Sequence, residues 1–325
     1  MRKPSDPEER AADASPGRAF ARIGLLGNPS DAYRGKAIAL SLYEFSAEIK
    51  LEATEKPGVF LSPEGLASDL IAATCARYAR HVELPTSHAG YAVQVASTIP
   101  FQAGLAGSSA IVIACLRALG NVFDRKLDAF ALSEIALAVE VDDLGSAAGP
   151  MDRAIQAYQG ALHMDFTRER SDASYTRLDG GSLPPMLVAW DPRGGEASGH
   201  VHSDVRERWL RGDAELVAAM REFGALVDTG MEALRNDDAV AFRQVIDRNF
   251  DARCELFPVA ARDLEMVAIA RSQGAAAKLC GSGGAVVAVL PNARHAGALA
   301  AVLAEAGYPS CTPALSPPAY GVPTS

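Results

Sequence analysis

Apolar and polar positions alternate weakly over residues 19–26, and the run stops at Gly27-Asn28-Pro29, a turn signal. A longer β-like stretch follows over 36–51, with Ala37, Ile38, Leu40, Leu42, Phe45 and Ile49 set among polar residues. The period changes to that of an amphipathic helix over 64–80, and 91–99 reads as a strand again. That strand delivers the chain to a loop rich in glycine and serine. Residues 109–123 are apolar on most faces and predict a buried helix. A second helix is predicted over 128–143, capped by Asp128 and broken by Gly145-Ser-Ala-Ala-Gly149-Pro150. A third begins there, with Pro150 at a first-turn position, and 160–166 predicts a strand.

Residues 167–185 carry little periodicity and mark the expected domain boundary. A strand over 186–190, long helices between 204 and 270 and a strand–loop–strand ending at Leu290 follow. The expected partition is a flexible tail over 1–18, an N-terminal domain over 19–180, a C-terminal domain over 181–312 and a loose proline-rich tail over 313–325. Antiparallel-looking strands with helices in blocks favour an α+β fold over regular βαβ alternation.

Length and charge narrow the function. The chain has 325 residues, enough for about two domains, and 49% of them are hydrophobic, so a full core can be built. A net charge of −9 with no basic stripe argues against nucleic acid as a partner. It also means that an anionic substrate needs a local positive cluster. The five cysteines are scattered and form no Cys-x-x-Cys pair, which indicates neither zinc nor a disulfide framework and fits a cytoplasmic setting. No apolar run is long enough for a membrane span, and the first 17 residues lack the apolar core of a signal peptide.

The strongest chemical signal is the segment Pro100-Phe-Gln-Ala-Gly104-Leu105-Ala106-Gly107-Ser108-Ser109-Ala110, which runs into a helix. Glycines let backbone amides approach an anion, and the first helical turn adds unpaired N–H groups and the positive end of the dipole. This is a candidate phosphate cradle, with Ser108 and Ser109 offering hydroxyls to phosphate or magnesium. The alternative is a serine-capped surface turn. A P-loop, a dinucleotide fingerprint, a metalloprotease motif and a nucleophile elbow are all missing.

Three further segments carry candidates. Asp152 follows Pro150 in the first turn of the third helix, where the dipole favours its ionised form. Beside a phosphate cradle such a carboxylate can orient or deprotonate a hydroxyl, and otherwise it is a helix-capping aspartate. Glu140 ends the preceding helix and is either a magnesium ligand with a serine hydroxyl or a solvated residue. The glycine turn Gly281-Ser282-Gly283-Gly284 opens onto an apolar strand and either approaches a nucleotide or is only a tight turn. Arg22 lies on an apolar strand, where it must reach an edge or meet an anion. Asp31, in Ser30-Asp31-Ala32-Tyr33-Arg34, can accept sugar hydroxyls or simply shape the turn.

Taken in this order, the four segments resemble the GHMP kinase superfamily. Pro100 to Ala110 matches its Pro-x-x-x-Gly-Leu-x-Ser-Ser-Ala pattern with one extra residue. Within the family, Gly27 to Gly35, Ile99 to Ile111, Asp152-Arg153 with Gly160 to Phe166, Asn249-Phe250 and Ala275 to Val287 are similar to the plant-type glucuronokinase subgroup. Asn28 departs from it, standing where a basic residue is expected.

The resemblance implies an N-terminal domain like ribosomal protein S5 domain 2 and a ferredoxin-like C-terminal domain, with ATP and sugar between them. It implies ATP-dependent phosphorylation of the anomeric hydroxyl of D-glucuronate, with Mg2+. Asp152 and Arg22 would be catalytic. Pro100, the 104–110 loop and Gly281, Ser282 and Gly283 would bind nucleotide. Asp31, Tyr33, Arg34 and Gly284 would bind sugar, and Ser108 or Ser109 with Glu140 would bind metal. Arg34, Lys36 and Arg153 are the basic residues nearest in sequence for a sugar carboxylate. The rival expectations are a kinase for a neutral sugar or a non-sugar alcohol, and a sugar- and ATP-binding sensor without catalysis.

Overall fold

The computed structural model describes residues 14–62, 65, 67–194 and 199–316. Strand β1 (Gly17–Leu26) pairs antiparallel with β2 (Lys36–Thr54) along nearly its whole length. On its other edge the 19-residue β2 takes β5 (Ala161–Asp165) at its start and β4 (Gly90–Ser97) at its end. Short strands β3 (Phe60–Leu61) and β6 (Tyr175–Arg177) complete a six-stranded sheet, in which only β3 and β4 run parallel. Helices α1 (Ser68–His81), α2 (Gly107–Phe123), α3 (Ala129–Ala138) and α4 (Met151–Tyr158) belong to this half. The helix read over 128–143 is capped by Asp128, which accepts the Ala131 amide at 2.8 Å. It widens into a π turn at Val139–Asp143 before the glycines end it.

The second sheet has β7 (Met186–Trp190), β8 (Ala276–Leu279), β9 (Ala285–Val289) and β10 (Ser310–Cys311) in the order β10-β7-β9-β8, all antiparallel. Helices α5 (Gly199–Leu210), α6 (Ala214–Arg235), α7 (Ala239–Leu256) and α8 (Ala261–Ser272) separate β7 from β8, and α9 (His295–Glu305) separates β9 from β10. This is a ferredoxin-like βαββαβ order with an enlarged first crossover. The fold is therefore α+β in two parts.

The two parts share a core. Ile23, Leu25 and Leu26 of β1 belong to one buried cluster with Val227 of α6, Phe242 and Ile246 of α7 and Val287 of β9. The Gly24 amide donates to Cys280 O at 2.8 Å, joining β1 to the end of β8.

Several expected boundaries move. β1 begins at Gly17, which is buried, so the last two residues of the expected N-terminal tail over 1–18 belong to the sheet. β6 lies inside the segment read as a boundary. At the other end Pro313 is buried and the Ala314 amide donates to Glu44 at 2.8 Å, tying the start of the expected loose tail to β2. Residues 1–13 and 317–325 of the two expected tails lie outside the described residues.

Candidate active site

The four segments meet at the seam between the two sheets. Gly104 has φ +64°, and a Cβ there would come within 2.1 Å of Gly283 O. Gly281 is as constrained, since a Cβ would lie 2.4 Å from Gly104 O and 2.7 Å from an Arg22 nitrogen. Only glycine lets these two backbones touch. The Gly/Ser loop is thus docked on the Gly281–Gly284 turn, across the seam.

Arg22 comes up from β1 into this contact and is 5% exposed. It donates through Nε to Asp152 Oδ1 at 2.6 Å, through Nη2 to Asp152 Oδ2 at 2.9 Å and through Nη1 to Gly104 O at 2.6 Å. The apolar neighbours of Arg22 on β1 are buried, so its charge is paired, as burial demands. Asp152 occupies the first turn of α4, as expected, with Pro150 one position earlier than a first helical residue, at the N-cap.

The loop ends in Ala106, a non-glycine residue with φ +63°. Its carbonyl is held by Gln156 of α4 at 2.8 Å and by the Ser109 hydroxyl at 3.3 Å. Helix α2 then opens with the amides of Gly107, Ser108 and Ser109 lacking intrahelical acceptors. The Ala110 amide is already spent on Ala106 O at 3.2 Å, so the cradle is one residue shorter than the sequence motif. Leu105 is buried and its carbonyl accepts the Arg22 amide at 3.2 Å, a structural contact. Pro100 opens the turn, its carbonyl accepting the Ala103 amide at 3.4 Å.

The structure separates the two serines. Ser109 is 1% exposed and turned back onto Ala106, whereas Ser108 is exposed and donates to Glu140 Oε1 at 3.0 Å. Glu140 is buried on the π turn, where the extra residue swings it toward α2. Its other oxygen accepts Arg153 Nε at 2.6 Å. Arg153 also donates to Gly149 O at 2.9 Å.

Asp31 sits on a 3-10 turn (Ser30–Tyr33) and reaches the start of α4, where its Oδ2 accepts the Met151 amide at 3.2 Å. A Cβ on Gly149 would lie 2.2 Å from that oxygen, so Gly149 makes room for it. Burial, reinforced by the neighbouring Asp152 carboxylate, pushes the Asp31 pKa up to about 7 against the pull of Met151 N–H, Arg153 and Arg22. Tyr33 is buried beside it against Trp209, with ring centroids 5.2 Å apart, and burial with the Asp31 charge lifts its pKa to about 12. Arg34 is exposed, at φ 58°. Gly284, at φ +87°, packs against Ala103 and donates its amide to Asp263 at 2.9 Å.

Of the basic residues read as carboxylate partners, two are committed elsewhere. Lys36 pairs with Asp228 at 2.8 Å, and Arg153 with Glu140. Asn28 receives a basic side chain from across the seam, since Lys278 Nζ donates to its Oδ1 at 2.7 Å, and to Gly24 O at 2.8 Å and Leu279 O at 2.7 Å. Burial pulls the Lys278 pKa down to about 7, with Arg253 and Arg22 adding to the fall.

Sequence reasoning gave no role to Gln156, Asn249, Arg253 or Asp263. The signal was there in α7, where the buried stripe Phe242, Ile246, Asn249, Arg253 turns polar over its last two members.

Open amides at the start of α2, a carboxylate gripped by a buried arginine, and a serine hydroxyl paired with a glutamate thus meet at one seam. The chain belongs to the GHMP kinases. The family described as GHMP kinases N terminal domain matches residues 69–160, and GHMP kinases C terminal matches 231–309. More particularly, the chain is 38% identical to Glucuronokinase 1 and 36% identical to Probable glucuronokinase 2, both of Arabidopsis thaliana, in each case over 84% of both chains. The crystal structure of Lactococcus lactis galactokinase complexed with galactose has the same fold, with TM-score 0.75 and 14% identity over 95% of this chain and 96% of that one. The enzyme class that follows from the family is a kinase that transfers a phosphoryl group to a hydroxyl.

Proposed function

We propose that this chain uses ATP to phosphorylate the anomeric hydroxyl of D-glucuronate, giving glucuronate 1-phosphate. The observation that carries the chemistry is the bidentate Arg22–Asp152 pair set against the Gly104 carbonyl, at the mouth of the amide cradle. The substrate choice is supported by the likeness to the two glucuronokinases over most of both chains.

In this reading the Gly107–Ser109 amides hold phosphate oxygens at the start of α2. Asp152 takes the proton of the anomeric hydroxyl as its oxygen bonds to the γ-phosphorus and the bond to the bridging oxygen of ADP breaks. Arg22 holds Asp152 aimed through two hydrogen bonds, and its charge offsets that of the transferring group. Asp31, Tyr33 and Gly284 line the sugar side, with Arg34 at the rim, while Gly281, Ser282 and Gly283 close the nucleotide side. A cytoplasmic enzyme is supported by five free cysteines.

Ser108 and Glu140 fit magnesium. Ser108 Oγ and Glu140 Oε1 are 3.0 Å apart, the separation of adjacent oxygens in an octahedral shell with bonds of about 2.0–2.1 Å. Among the described residues no three His, Cys, Asp or Glu side chains cluster as a metal cage. That suits an ion that takes most of its shell from phosphate and water. Ser108 and Glu140 would hold the ion, which would supply positive charge to offset that of the phosphate groups.

The test is ADP release with ATP and magnesium on D-glucuronate, D-galacturonate, galactose, arabinose and fucose. Highest kcat/KM on glucuronate supports the reading. A better neutral sugar moves the substrate and keeps the kinase, and nucleotide binding without turnover on any of them points to a sensor.

A further inference from the structure

Four cations are buried among the described residues: Arg22, Arg153, Arg253 and Lys278. Arg22 and Arg153 each have a carboxylate. Lys278 has three neutral acceptors for its three protons. Arg253 differs from all three. It is 6% exposed, its Nη2 donates to Ser282 O at 3.0 Å, its Nε has no partner, and no carboxylate among the described residues ion-pairs with it. An unpaired buried charge is costly, so its partner is to be sought in a ligand.

Its neighbour one turn earlier on α7 is in the same position. Asn249 is fully buried, and its Oδ1 accepts the Gly27 amide at 2.9 Å, which fixes the carboxamide. Its Nδ2 has no partner. Two unpartnered donors thus lie one helical turn apart on a single face. That face touches both walls of the cleft: Gly27, which leads into the Asp31 turn, and Ser282, which belongs to the turn packed on Gly104 and Arg22. The guanidinium is held over the Phe257 ring, 5.4 Å from its centroid.

We propose that Arg253, seconded by Asn249, forms the carboxylate-reading end of the sugar site and selects an acid sugar over its neutral counterpart. This rests on the glucuronate reading above. The phosphate groups have their own donors in the α2 amides and Arg22, and a guanidinium fork matches a planar carboxylate. Asp263, a buried acid whose charge acts on Arg253, is turned to the Gly284 amide and forms no ion pair with it, and burial raises the Asp263 pKa.

The experiment compares kcat and KM for D-glucuronate and for D-glucuronamide, its uncharged amide, at saturating ATP. The wild-type enzyme should prefer the acid, and Arg253→Gln should cut the acid-to-amide ratio of kcat/KM by about ten- to hundredfold, the range for a hydrogen bond to a charged group. Arg253→Lys should recover part of it. Three outcomes overturn the proposal: equal loss on both sugars, a loss confined to the KM for ATP (an anion site for phosphate), or a wild-type enzyme that takes the amide as well as the acid. The last needs no variant, so a misfolded Arg253→Gln does not blunt the test. A wild-type enzyme inactive on both sugars would instead remove the glucuronate reading itself.

Discussion

Arg22 and Asp152 are 130 residues apart in sequence and bound by two hydrogen bonds, at 2.6 and 2.9 Å, with the guanidinium 6% and the carboxylate 19% exposed. Arg153 Nη1 lies 3.9 Å from the same carboxylate, so two buried arginines flank it at the start of α4. Asp152→Asn keeps the shape and removes the base. Its kcat should fall by at least about a hundredfold, the usual scale for general base catalysis, with nucleotide binding retained. Near-normal turnover in single-turnover assays would take the role of base away from Asp152.

The serines should separate in a magnesium titration. Ser108→Ala removes the hydroxyl that meets Glu140, so the Mg2+ concentration for half-maximal ADP release should rise several-fold. Ser109→Ala loses only a bond back to Ala106 and should cost about 1 kcal/mol of stability with the magnesium midpoint unmoved. The reverse pattern would assign the metal to Ser109.

Gly104→Ala should weaken ATP binding by tenfold or more. The new methyl lands 2.1 Å from Gly283 O in a left-handed backbone, so the loop must lift off the opposite turn. Nucleotide titration by calorimetry reads this directly, and an unchanged Kd would mean that the docked loop is not the nucleotide cradle.

Asp31 should make stability pH-dependent. Its folded pKa is about 7, against about 3.9 in an unfolded chain. Below about pH 4 the group is protonated in both states and the folded form keeps its full benefit. Between about pH 4 and 7 only the unfolded state has ionised, so stability falls as pH rises, and above 7 the loss is complete. Asp31→Asn lacks this loss, so its melting temperature should gain on the wild type from pH 5 to pH 8. Parallel curves would show that Asp31 is ionised at neutral pH in the folded protein.

Much of this was legible in the chain. Period-2 and period-3.6 patterning locates β1, β2, β4, β7 and the helix after the Gly/Ser loop to within a few residues, because these elements bury one continuous face. The short strands β3, β6 and β10 escape, since two or three residues carry no period. The π turn escapes too, because a helical pattern does not say which register its last turn keeps, and that register sets Glu140 opposite Ser108. The choice between the serines, the Asp31 contact with α4 and the isolation of Arg253 depend on partners 32, 120 and 29 residues away along the chain. Local pattern cannot encode those.

The Gly24–Cys280 bond at 2.8 Å stitches the first strand to the end of β8, over a core to which both sheets contribute. A polypeptide cut within 167–185 would leave each fragment with a bare apolar flank. Neither fragment alone would assemble a nucleotide cradle beside its opposing turn. Fused to two proteins that associate, such fragments would recover ATP turnover only when brought together, so this seam suits the chain to serve as a split reporter of proximity.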